Sequence, residues 1–206
     1  MSKAKPAFQG HLWRSAPLGL EKEGAPSKIL ACDPGSQKIG FALVSRTPDI
    51  GLKWRATAQA WQIRAKASDP LEARILTLCT QARPIMRQAL EAGASCLVIE
   101  RSAPISRGGK GTGALNVAWV MGLALGAIAG TWSLSGAPCH YVQASAWRSA
   151  LKGFLMPVER DYKAPAIQLC RTAFGLDPIE EDAAQAVCLG YACLLKPALL
   201  AGKEEL

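Results

Sequence analysis

Residues 28–44 read KILACDPGSQKIGFALV, and the fold turns on this stretch. An apolar run ends in Asp33-Pro34-Gly35-Ser36, and a second apolar run begins at Ile39. That order predicts a strand, a tight turn and a returning strand, with one carboxylate where the first strand stops. A sheet buries the body of a strand and exposes its tip, so an acid at the tip is rigidly held yet able to reach a metal ion or a phosphate. Taken alone, Asp33 also reads as a turn residue bonding its own backbone. Its weight comes from two later acids in matching positions: Glu100, closing the apolar run 95–99, and Asp182, opening an apolar helix.

Working outward, strands are expected near 28–33, 38–45 and 52–61, the last from the partial alternation of Leu52, Trp54, Ala56 and Ala58 with more polar residues. These would form an antiparallel meander. Pro70 opens a helix running to Gly93, with Leu71, Ile75, Leu78, Cys79 and Ala82 at helical spacing and Pro84 expected to kink or divide it. A buried strand follows at 96–100, then a polar loop at 101–113, a long apolar helix and a short strand at 139–142. Two further helices are expected near 159–174 and 181–196, separated by Gly175 and Pro178. A three-stranded meander followed by alternating helices and strands predicts an α/β fold, a mixed sheet flanked by helices. One domain at 28–198 is expected, with a flexible basic tail at 1–27 and a short tail at 199–206. No internal repeat is present.

The chain has 206 residues, half of them hydrophobic, enough to bury a sizeable core. Lys and Arg number 24 against 16 Asp and Glu, a formal charge of +8 that favours a polyanionic partner such as nucleic acid. The 7 cysteines are scattered and never spaced C-x-x-C, which fits reduced core residues in the cytoplasm. With His11 and His140 the only histidines, a structural zinc site and a Ser-His-Asp arrangement have little to draw on. Residues 1–28 lack the long apolar segment of a signal peptide. Residues 112–136 carry no charge and match the about 20 apolar residues of a membrane span. A span there would put Glu100 and Asp182 on opposite sides of a bilayer, and its flanks are basic on both sides. A buried central helix, its small residues packed closely on a sheet or on a second subunit, is expected instead.

Three acids from separated segments repel one another on converging unless cations lie between them. Hard oxygen ligands of this kind suit Mg²⁺ or Mn²⁺, and a pair of such ions about 4 Å apart activates water and stabilises the leaving oxygen in phosphodiester hydrolysis. Each acid also has a structural role open to it, most plainly Asp182 as a helix cap.

The segments ILACDPGSQKIGFALV, LVIERS and EEDAAQAVCLGYA, in this order, resemble the RuvC family of Holliday-junction resolvases within the ribonuclease H-like superfamily. The similarity covers most of residues 28–196. It implies a ribonuclease H-like mixed five-stranded sheet, its first three strands antiparallel, flanked by helices. It also implies a homodimer that binds a four-way DNA junction and cuts two strands symmetrically with Mg²⁺, which Mn²⁺ can replace. The implied metal-binding and catalytic acids fall on Asp33, Glu100 and Asp182. The fourth position departs from the family: where relatives commonly show D-A-A-D, this chain has Asp182-Ala183-Ala184-Gln185. Gln185 offers a neutral carbonyl oxygen to a metal or a bound water, and Glu181 offers charge from about 100° around the helix. Lys163 stands where the family places a basic residue near the active site, a candidate catalytic and DNA-binding cation.

Beyond the metal site, the loop RSAPISRGGKGTG at 101–113 follows the second acid directly, and its Arg101, Arg107 and Lys110 are expected to meet DNA phosphates beside glycines that allow close backbone approach. Arg148 and Lys152 are expected to add to that contact. Three other readings remain open at this level: a branched-DNA binding protein weakened in catalysis by the Asp-to-Gln change, a ribonuclease H-like nuclease acting on RNA, and a kinase-like ATPase built around the Asp33 turn. The last lacks a second glycine-rich phosphate loop after a strand.

Overall fold

The computed structural model describes residues 16–18, 26–48, 54–101, 112–154 and 162–201. Strands β2 (Lys28–Asp33), β3 (Lys38–Pro48) and β4 (Trp54–Arg64) form the antiparallel meander expected from the sequence. The third strand runs past its expected end at 61 to Arg64, because its pairing with β3 continues to Lys38↔Arg64; residues 52 and 53 lie outside the described residues. Strand β5 (Cys96–Arg101) adds parallel to β2, and β6 (Cys139–Gln143) adds parallel to β5. The five expected strands are all present. A short strand, β1 (Ala16–Leu18), pairs antiparallel with β4 and completes the order β1-β4-β3-β2-β5-β6. The tail expected at 1–27 thus contributes an edge strand, which three residues without an apolar pattern do not announce.

The sheet is covered on both sides, which is why its central strands are apolar without alternation. Ile29 and Ala31 of β2, Ala42 and Val44 of β3 and Val98 of β5 pack with α3 (Ala144–Ala150), α4 (Lys163–Phe174) and α5 (Glu181–Leu195). Leu30, Cys32, Phe41, Leu97 and Ile99 face the other way, onto α1 (Leu71–Glu91) and α2 (Thr112–Ser133). A 3₁₀ turn, Pro197–Leu200, lays Leu199 and Leu200 against the first cluster, so packing runs slightly past the boundary read at 198. All 7 cysteines are free.

Two expectations about helices are corrected, and one helix has no counterpart among them. Pro84 does not divide α1, which is continuous. Its side chain is exposed, while Leu78, Ala82, Ile85, Met86 and Ala89 form the buried stripe. Burial of that stripe, at about 1.5–3 kcal/mol for each large apolar side chain, offsets the about 3 kcal/mol cost of an internal proline. Helix α3 was not anticipated, being too short to show periodicity. Helix α2 is not buried all round: between 119 and 133 only Val120, Ala124, Ile128 and Trp132 are fully inside, one stripe at spacing four, while Trp119 is 61% and Leu123 45% exposed. A uniformly apolar segment does not declare which face meets the sheet, and this chain covers only one. No helix among the described residues is long and apolar enough to cross a membrane.

Helix α5 is buried continuously from Ala183 to Leu194 and lies on β2 and β3. Two glycines allow that approach. A Cβ on Gly40 would stand 2.0 Å from the Asp182 carbonyl oxygen, and one on Gly190 would stand 2.6 Å from Val44 Cγ2.

Candidate active site

Asp33 ends β2 and Glu100 lies near the end of β5, and these strands are parallel neighbours whose last paired positions are Cys32↔Ile99. The two acids follow that pair directly. Because Ile29 and Ala31, like Cys96 and Val98, face the α5 side, the period of two sends Asp33 and Glu100 to the same side. Gly40 is the β3 partner of Asp33, and the first turn of α5 rests on Gly40 through the Asp182 backbone. One end of the sheet therefore brings together all three acids read from the sequence.

Burial and like charge leave this cluster short of positive charge. Asp33 is only 8% exposed, and its carboxyl is pushed up to about 8, first by burial, then by Glu100 and Asp182, with Glu181 adding slightly and Arg148 opposing. Asp182 is also raised, by burial and by Glu181, against the pull of Lys38, Lys163 and Arg64. Gln185 is buried with its acid neighbours, at 7% exposure.

Helix α3 supplies partners that sequence spacing did not reveal. The Trp147 indole Nε1 donates a 2.7 Å hydrogen bond to Glu100 Oε2 in the buried interior. Arg148 Nη2 donates to Gln185 Oε1 at 3.4 Å and stands 4.0 Å from Glu100 Oε1. Its guanidinium lies 5.1 Å from the Trp147 ring centroid and 4.9 Å from that of Tyr162, within cation–π range of both. Arg148, expected at the DNA surface, is thus part of the acid cluster itself.

The remaining candidates divide. Lys163 opens α4 and forms an ion pair with Glu181, so the acid offered as a substitute ligand is engaged by the basic residue read beside it. Arg101 is exposed at the end of β5, and Lys152 is exposed in the turn after α3. Arg107 and Lys110 lie outside the described residues. Lys38 and Arg64, both close enough to lower Asp182, escaped the sequence reading; Arg64 also pairs with Glu180. Their signal was faint, since a basic residue at a strand end has many uses. Trp147 and Tyr162 carried no signal at all, because their partners are distant in the chain.

The donor set suits a hard divalent cation in its chemistry: oxygen ligands only, with Asp33 and Asp182 both raised, first by burial and then by neighbouring carboxylates. Its geometry is not that of a ready cage, for among the described residues no three His, Cys, Asp or Glu side chains are gathered closely enough to hold a metal ion. Asp33, Glu100 and Asp182 are the residues that would hold one.

The fold is similar to those of several solved structures. The fold aligns with a Thermus thermophilus RuvC structure at a TM-score of 0.62 and 16% identity, covering 83% of this chain and 95% of that one. The chain has a RuvC-like fold. T. thermophilus RuvC in complex with a Holliday junction substrate aligns at a TM-score of 0.60 and 13% identity, covering 83% and 94%. The yeast mitochondrial Holliday junction resolvase Ydc2 aligns at 0.52 and 10%, covering 87% and 82%. No protein-family model matches the chain, and no curated protein matches it in sequence. At identities of 10–16% the likeness is one of fold.

Proposed function

We propose that this protein is a metal-dependent endodeoxyribonuclease that resolves four-way DNA junctions. The observation that carries this reading is the convergence of Asp33, Glu100 and Asp182, the first two buried at adjacent strand ends, in a RuvC-like fold. Mg²⁺, or Mn²⁺ in its place, would be held by these acids and would supply Lewis-acid activation of water. In the hydrolysis, the water oxygen forms a new bond to phosphorus, one bridging P–O bond breaks, and the leaving oxygen gains a proton as the attacking water loses one. Glu100 is kept in place for this by the Trp147 N–H. Lys38, Lys163 and Arg64 surround Asp182 with positive charge that favours a phosphate backbone, consistent with the net charge of +8.

Symmetric cleavage needs two sites, and α2 offers a surface for a second copy. The helix has no charged residue, exposes Trp119 and Leu123, and presents Gly122, Gly126 and Gly130, where an added Cβ would meet nothing within 4 Å. A homodimer joined through this face would present two active sites to the two strands of a junction. The free cysteines fit a reducing, cytoplasmic setting.

A second reading, a branched-DNA binding protein weakened in catalysis, is favoured by one observation: an amide at 185 and an arginine against Glu100 both depart from a plain acid cluster. The deciding experiment offers the protein a labelled four-way junction, a linear duplex and an RNA–DNA hybrid, in Mg²⁺ and in Mn²⁺, with Asp33→Asn as control. Paired nicks on the junction alone, lost in Asp33→Asn, are expected. Tight junction binding without nicks would establish the binding protein, and cutting of the hybrid alone would move the substrate to RNA.

A further inference from the structure

Strand β4 has 11 residues but only a short partner on its outer side. Pairing with β1 covers Trp54, Arg55 and Ala56, and from Thr57 to Arg64 no strand among the described residues lies on that edge. Which backbone groups point there follows from the inner side. The Ala65 N–H donates to the Gln37 carbonyl at 2.8 Å, next to the Lys38↔Arg64 pair, so the odd-numbered residues of β4 bond to β3 and the even-numbered ones point outward. At Arg64 one side chain of α1 caps the outward groups: the carbonyl accepts from Gln81 Nε2 at 2.9 Å, and the N–H donates to Gln81 Oε1 at 3.2 Å. Ala58, Ala60 and Gln62 present theirs in a row, which is what one more strand needs.

Strand β1 lies on this edge in the direction that supplies it. Its antiparallel register runs from Ala16↔Ala56 to Leu18↔Trp54, so the residues before Ala16, kept in step, meet Thr57 at Ser15, Gln59 at Trp13, Trp61 at His11 and Ile63 at Gln9. Pro17 stands opposite Arg55, an odd-numbered residue, where its missing N–H takes no bond from the ladder. Residues 7–15, AFQGHLWRS, contain neither proline nor an acid.

We infer that residues 9–15 continue β1 along the outer edge of β4 and close it, and that residues 1–7 leave this strand as a basic arm for the DNA that flanks the cleavage point. Leu12 then falls beside Ala58 and Ala60, half-buried small residues packed on the α4 and α5 side, and Trp13 falls on the side of Trp61 and Ile63. Asp33, Gly40 and Gln62 already form one row across β2, β3 and β4, and Gly10 becomes its next member. The chain before Gly10 therefore leaves the sheet at the end that holds the acids. Lys5 and Lys3 extend up to about 17 and 23 Å beyond that row at about 3.3 Å per residue, a reach suited to the flanking duplex rather than to the phosphate being cut. The arm rests on the nuclease reading; the strand does not.

Amide hydrogen exchange of the full chain, read residue by residue by NMR, tests the strand. The N–H groups of Ala58, Ala60 and Gln62 are expected to be protected in the wild type and to exchange about 100-fold faster or more in Leu12→Pro, while those of Gln59, Trp61 and Ile63, bonded to β3, do not change. Fast exchange at the three outward amides of the wild type overturns the inference. So does protection that survives Leu12→Pro and grows with protein concentration, which would give the edge to a second copy of the chain. Should Leu12→Pro fail to fold, cross-linking decides: Trp13→Cys with Gln59→Cys, a pair with Cα atoms about 4.5 Å apart, is expected to join within one chain under diamide, and Trp13→Cys with Ile63→Cys is not. Joining of both pairs, or of neither, overturns the register. For the arm, Lys3→Glu combined with Lys5→Glu is expected to weaken junction binding about 10-fold and to flatten its salt dependence with the exchange pattern intact. Unchanged affinity overturns the arm. A protein whose three amides are protected but which binds no branched DNA overturns the nuclease reading, and the arm with it, while supporting the strand.

Discussion

Asp33 is buried at the end of β2, beside Glu100 at the end of the neighbouring parallel strand. Its place at a strand end is written in the apolar run before it and the Pro-Gly turn after it. Its protonation is not, because that depends on Glu100 and Asp182, which reach it only through the fold. The acid's ordinary value near 3.8 is raised to about 8, so the folded protein holds a proton that the unfolded chain releases. Stability from this group is complete below about pH 4, declines as pH rises, and is flat above about 8. Asparagine imitates the neutral carboxyl at all pH values. In metal-free buffer, Asp33→Asn is therefore expected to exceed the wild type in stability at pH 8 by on the order of a few kcal/mol, the gap closing toward pH 4. Urea unfolding of both proteins across that range checks it; a gap independent of pH would show that the acid is not strained by its neighbours.

At the scale of elements, the approach of α5 to the sheet decides whether a site exists. Gly40 reads in the sequence as an unremarked residue within a returning strand, yet it is the position on which the first turn of α5 rests beside Asp33. A Cβ there would press on backbone, the Asp182 carbonyl at 2.0 Å, which has no rotamer to turn away. Gly40→Ala is expected to cost about 3 kcal/mol or more and to reduce junction cleavage sharply, since it displaces Asp182 relative to Asp33. Gly190→Ala meets the Val44 side chain instead and is expected to cost less, about 1–2 kcal/mol, with cleavage largely retained. Denaturant midpoints and cleavage rates of the two variants, compared side by side, check the order. Helix α1 teaches the complementary lesson: a proline that local rules would place at a break is carried through by the buried stripe on either side of it.

For the whole molecule, α2 poses the question of what covers its outer face. Its lack of charge is visible in the sequence, but both a buried core helix and a subunit contact fit that pattern, and between 119 and 133 only Val120, Ala124, Ile128 and Trp132 are fully inside. Leu123→Glu, on the exposed side, is expected to convert a dimer to a monomer in analytical ultracentrifugation, to leave Mn²⁺ binding unchanged and to abolish paired cutting of a junction. A variant that remains dimeric would place the subunit contact elsewhere. The wild-type sedimentation coefficient serves as its reference.

The acids, the strand meander, the helix that carries Asp182 and the basic balance are legible along the chain, because these depend on local periodicity, turn chemistry and composition. It takes the packed fold to bring Trp147 and Arg148, 47 and 48 positions beyond Glu100, into its surroundings, to set Gln185 where it accepts from Arg148 and to pair Lys163 with Glu181. The physical reason is range. A periodic pattern records which face of an element is buried, whereas a buried hydrogen bond or ion pair joins atoms brought together by the packing of different elements, and no spacing along the chain records it.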